Sequence, residues 1–148
     1  MDWEKYMREA LELAREAARA GEVPVGCVVF DESGRIIGRG RNRREELPDA
    51  CAHAEVEAIR KACRARGSWN LTGCGIAVTL EPCPMCAGAI INARLSTVAY
   101  GAREARSGSV GSVINLFEEN YGHQTRGYGT PSRDECAGLL AEFFGRLR

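Results

Sequence analysis

The chain has almost no lysine and no net charge. Its 148 residues carry 20 basic and 20 acidic side chains, and among the basic ones only Lys5 and Lys61 are lysines. Such a balance excludes a generally basic nucleic-acid binder, although it leaves local patches open. Arginine carries nearly all the positive charge. Genome composition explains that plainly, and bidentate phosphate contact is the functional explanation. Long apolar runs are also missing. No segment approaches the roughly 20 apolar residues a membrane-spanning helix needs, so no membrane association is expected. The first twenty residues are amphipathic and rich in Glu and Arg, without the continuous apolar stretch of a secretory signal. A cytoplasmic location is expected. The seven cysteines are odd in number. With no sign of export, metal binding or catalysis suits them better than a disulfide framework. Cys27, Cys63, Cys74 and Cys136 lie among apolar or small residues and read as buried small hydrophobes.

Apolar residues at 45% and charged residues at 27% are ordinary for a globular protein. The length fits one domain, residues 1–148. From Trp3 to Ala18 the apolar positions recur at helical spacing, and Gly21 ends that helix. Val25 to Phe30 reads as a buried strand. A turn at Asp31 to Gly34 returns the chain as a second strand, Arg35 to Gly40, making a hairpin. Arg41 to Cys51 is a polar loop containing Pro48. A helix over His53 to Arg66 stops at Gly67. Gly75 to Leu80 is a third strand, Pro84 to Ala93 a third helix opened by proline, and Leu95 to Gly101 a fourth strand. The helical crossover makes strands three and four parallel neighbours. Ser107 to Pro131 is weakly patterned, with a short helix near Val113 to Glu119. Asp134 to Leu147 is a closing amphipathic helix. This order predicts a three-layer α/β/α sandwich around a central mixed sheet, expected to be five-stranded although only four of its strands are located.

Two stretches carry chemistry. One is Ala52-His53-Ala54-Glu55; the other is Glu81-Pro82-Cys83-Pro84-Met85-Cys86. Zinc prefers thiolate and imidazole ligands in a tetrahedron. Cys83 and Cys86 at one helix start and His53 at another supply three, which leaves a fourth position for water. A structural site is closed by four ligands, so this pattern is catalytic. Both helix starts present their positive ends to the metal and favour thiolates. Zinc lowers the pKa of bound water to about 7. Glu55, two residues from the histidine, reaches that water without binding the metal and is the candidate general acid–base. His-x-Glu followed by Pro-Cys-x-x-Cys is the signature of zinc nucleobase deaminases. Cys-x-x-Cys alone would also suit a redox pair or half of a zinc ribbon. Cys51 offers a rival fourth ligand for a closed Cys3His site.

At these residues the chain resembles the cytidine-deaminase-like superfamily and, within it, the bacterial tRNA-specific adenosine deaminases (TadA). The similarity extends over Glu22 to Gly26, Asn42, Thr79 to Ala89, Gly101 to Ala105, Gly108 to Ser112 and Asp134 to Cys136. It implies one Zn2+ per chain, a homodimer, and conversion of adenosine to inosine at the wobble position of a tRNA anticodon loop. The base would be flipped into the pocket. There Asn42 would hydrogen-bond the purine and Val25 would pack on it. Ala54 and Glu104 would complete the contact. His123 and Tyr128 would line the pocket from the segment before the last helix.

The chain departs from that family at the rim. Arg41-Asn42-Arg43-Arg44 stands where the family has Trp-Asn-Arg-Pro, Ala50-Cys51 where it has Pro-Thr, and Glu104 where it has Asp. Gly122 to Gly129 also differs. Losing the aromatic removes a stacking partner for an RNA base. Arg41, Arg43 and Arg44 could form a phosphate patch instead. The alternative function is a paralogue deaminating a free nucleobase, nucleoside or related heterocycle of the guanine, adenine or cytosine type. A zinc-stabilised binding module without turnover is a further alternative.

Overall fold

A computed structural model describes residues 2–147. The first helix, α1 (Trp3–Arg19), buries Tyr6, Met7, Ala10, Leu11, Ala14 and Ala17 on one stripe. The Asp2 carboxylate accepts from the Lys5 amide at its start. Next come β1 (Gly26–Phe30) and β2 (Ile36–Arg41). They pair antiparallel, as the expected hairpin, with a register shift between Val29 and Phe30. Then follow α2 (Ala54–Arg66), β3 (Gly75–Leu80), α3 (Pro84–Asn92) and β4 (Thr97–Ala102). The expected parallel pairing of strands three and four is present. The short helix near Val113 to Glu119 is a single 3-10 turn, Leu116–Glu118. A fifth strand, β5 (Arg126–Gly129), lies parallel to β4, and α4 (Arg133–Arg146) closes the chain. The sheet order is β2-β1-β3-β4-β5.

The sheet is covered on both sides, which is why β1 is buried along its whole length. Cys27, Val29, Ile76 and Val78 face α2 and α3. Val28, Phe30 and Ala77 face α1 and α4. The three-layer sandwich of the sequence reading is therefore the observed architecture. Close backbone approach sets its spacing. A Cβ on Gly26 would strike the Ala10 carbonyl of α1, and Cβ atoms on Gly38 and Gly40 would strike the Ala58 and Ala54 carbonyls of α2. Glycine on the strand and alanine on the helix thus let α2 lie directly on β1 and β2. That contact fixes where the first turn of α2 emerges at the sheet's end.

All seven cysteines are free thiols. Cys27, Cys74 and Cys136 are buried, as their apolar surroundings predicted. Cys63 is only half-buried, and its Sγ lies 3.8 Å from the Trp69 carbonyl.

Candidate metal centre and substrate cleft

Two helices start side by side at the carboxyl end of β3. His53 is the N-cap of α2 and Cys83 the N-cap of α3, with Pro84 in the first helical turn. Extended backbone at both caps lets the chain turn sharply into each helix, and neither side chain makes a capping hydrogen bond. Both side chains are thereby free to face one point. The His53 Nδ1 lies 3.7 Å from Cys83 Sγ and 3.5 Å from Cys86 Sγ. A zinc ion with bonds of about 2.3 Å to sulfur and about 2.0 Å to nitrogen, meeting at a tetrahedral angle, sets those atoms about 3.5 Å apart. The donor set and its spacing fit zinc. Among the described residues, His53, Cys83 and Cys86 are the one group with metal-ligand geometry. Cys51 is exposed and outside it, so the rival closed site gains no fourth ligand there.

Charge is arranged around this point. A hydrogen bond from Cys86, helped by the His53 ring, pulls the Cys83 thiol down to about 4. That same hydrogen bond, and burial, push Cys86 up. The Cys83 contact raises His53. One thiolate therefore sits ready between the two helix starts, and a metal drives off the second proton. Glu55, in the first turn of α2, is 4% exposed. Burial pushes its carboxyl up to about 7, against the pull of its own backbone amide. A carboxyl that titrates near neutrality can both take and give a proton there.

The centre lies at the base of a cleft of about 520 Å³. Val25, Asn42, Ala54 and Glu104, four of the expected substrate contacts, line it. The Asn42 amide is set from both ends: Nδ2 donates to the Val23 carbonyl at 3.3 Å, and Oδ1 accepts from the Arg44 amide at 3.0 Å. The expectation for His123 is not met. Its Nε2 donates to the Leu95 carbonyl at 2.8 Å, beside Thr125, which makes the same contact. Leu95 precedes β4, at the opposite end of the sheet from the cleft. The cause is β5: once Arg126 to Gly129 pairs with β4, the residues before it are carried to that far end. Tyr128 leaves the cleft for the same reason, and its ring lies 6.3 Å from that of Trp3.

The arginine patch is only partly available. Arg41 and Arg43 each bond Glu46 at 2.8 Å. Arg44 lines the cleft and has no ion-pair partner among the described residues. Phe143, Phe144 and Leu147 of the last helical segment also line the cleft, a contribution not read from the sequence. The available signal was that adjacent phenylalanines cannot both face the core of one helix. Glu22 is buried and accepts from the Glu45 and Glu46 amides at 3.0 and 2.7 Å, holding the loop that carries Asn42 and Arg44.

Fold and metal centre together define a zinc-binding deaminase. Residues 1–102 match the cytidine and deoxycytidylate deaminase zinc-binding region. The tRNA-specific adenosine deaminase of Bacillus subtilis is 44% identical over 146 residues, covering 98% of this chain and 90% of that protein. A structure from work on A-to-I editing by tRNA:A34 deaminases superposes with a TM-score of 0.86 at 41% identity, over 91% of this chain and 98% of the other. The guanine deaminase of Bacillus subtilis superposes with a TM-score of 0.65 at 43% identity, over 70% of this chain and 66% of the other. The chain belongs to the tRNA-specific adenosine deaminase family, within the zinc-dependent cytidine-deaminase-like fold.

Proposed function

We propose that residues 1–148 act as one domain that hydrolyses adenosine to inosine at the wobble position of a tRNA anticodon. The observation that carries the reading is the cleft itself. A buried carboxyl, a His-Cys-Cys centre and the Asn42 amide converge at its base, in a chain 44% identical over nearly its whole length to a tRNA-specific adenosine deaminase. Zinc, which His53, Cys83 and Cys86 would hold, would supply a water of lowered pKa. Glu55 would take one proton from the attacking water as the water oxygen bonds to the purine C6. The same carboxyl gives that proton to the ring N1, then takes the proton of the new C6 hydroxyl and gives it to the amino nitrogen; C6 becomes a carbonyl, the C6–N bond breaks, and ammonia leaves. Asn42 orients the base, Val25 packs on its face, and Ala54 and Glu104 border it. The cleft opens to solvent, as a base flipped out of an RNA loop requires.

An anticodon stem-loop with adenosine at its wobble position should yield inosine, while free adenosine should not. Nuclease digestion and mass spectrometry of the nucleosides read the result, and the reverse pattern rejects the tRNA reading. A second reading, deamination of a free base, is favoured by the similarity to a guanine deaminase at 43% identity and by the zero net charge. Guanine and adenine belong in the same assay for that reason.

The chain would act as a homodimer. Val113 and Ile114 are neighbouring apolar side chains, 54% and 47% exposed, that a second copy could cover. Sedimentation should give twice the 16.1 kDa chain mass, and a species of one chain mass refutes the dimer. No described helix is long and apolar enough to cross a membrane. A tRNA substrate would place the enzyme in the cytoplasm.

A further inference from the structure

Glu81 sits directly before Pro82 and Cys83 and is 2% exposed, yet no lysine or arginine among the described residues pairs with it. A buried carboxylate needs other partners. All of them come from one loop. The Glu104 amide donates to Oε1 at 3.1 Å, and the Ser112 hydroxyl donates to the same oxygen. The Val110 and Ser112 amides donate to Oε2, each at 3.0 Å. Each carboxylate oxygen is thus bonded by the far end of the loop, and Oε1 holds the near end as well. Gly108 passes so close that a Cβ there would meet the carboxyl group. The flanking backbone runs the same seam, with the Glu81 amide on the Ala102 carbonyl and the Ser109 amide on the Pro82 carbonyl, both 2.8 Å. Glu104 and Ser107, inside this loop, line the cleft.

We infer that Glu81 is a positioning residue for substrate recognition: its carboxylate closes the 104–112 loop and fixes that rim of the cleft relative to Cys83, the candidate metal ligand two residues away. The inference rests on the deaminase reading but assigns a role to a residue outside the chemical step. Glu81 borders the cleft too, but both its carboxylate oxygens are turned to the loop donors. Its effect reaches the substrate through Glu104 and Ser107, which border the bound base or its flanking nucleotides. Loss of the brace therefore weakens binding more than turnover.

Glu81→Gln tests this. The amide keeps the length but offers one accepting oxygen, so the Val110 and Ser112 amides, which share Oε2, lose their acceptor and face an NH2 group. KM for the anticodon stem-loop should rise about tenfold, with kcat changed less than about threefold and zinc content unchanged. Hydrogen exchange at the 104, 110 and 112 amides should accelerate. Ser112→Ala, which removes one bond and no charge, should raise KM about two- to threefold in the same direction. That variant decides the matter if Glu81→Gln does not fold. Unchanged KM and exchange overturn the inference, as does a fall in kcat alone or loss of zinc. If the unaltered chain shows no activity on the stem-loop, the tRNA reading fails, and the exchange rates still decide the brace.

Discussion

Glu55→Ala should lower ammonia release by about a thousandfold or more while the protein keeps its single zinc. General acid–base catalysis by one placed side chain contributes about 10² to 10⁴ in rate. Glu55 is asked to act twice, on the water and on the leaving nitrogen, so the upper part of that range applies. His53, Cys83 and Cys86 have the geometry to hold the metal without it. Burial pushes the carboxyl up to about 7, and a zinc ion beside it would draw that value down. The base form exists only above its pKa. kcat/KM should therefore fall on the acid side of neutrality, and Glu55→Ala should lose that limb. A variant that released ammonia at the original rate would remove Glu55 from its role.

The candidate metal centre was legible because its spacing is local. His-x-Glu at one helix start and Cys-x-x-Cys at another are each fixed within four residues, and prolines and a preceding strand mark where the helices begin. The layers were legible because β1, α1 and α2 carry unambiguous periodicities, although single residues at the boundaries moved. The cleft's far wall was not legible. β5 is short, exposed and rich in glycine, so neither alternation nor an apolar run announces it. Missing it put His123 and Tyr128 at the wrong end of the sheet. Arg41 and Arg43 read as free charge although Glu46 is only five and three residues on, because an irregular loop has no periodicity to show which side chains face each other. Glu22 and Glu81 read as motif letters. Their burial and their backbone partners, 23 to 31 residues away, exist only in the folded chain.

Cys83→Ala should cost the protein both its metal and its turnover. Even residues that merely support metal ligands cost about 10- to 100-fold in affinity when replaced, and a direct thiolate ligand costs more. Removing it leaves His53 and Cys86 as two ligands, too few to hold zinc against solvent. The remaining thiol would also lose the hydrogen bond it shares with Cys83. Activity should fall to the solution background because no activated water remains. Stability should fall as well, since metal binding at this junction of α2 and α3 contributes to the folded state.

The central claim is that the centre has three protein ligands and an open fourth position. Zinc content of Cys51→Ala measured beside that of Cys83→Ala tests it most directly. The account predicts that Cys51→Ala retains its zinc and its ammonia release, because that thiol is exposed and lies outside the ligand group, while Cys83→Ala loses both. Equal loss of zinc from the two variants would mean a closed four-ligand site, and would contradict the enzyme described here.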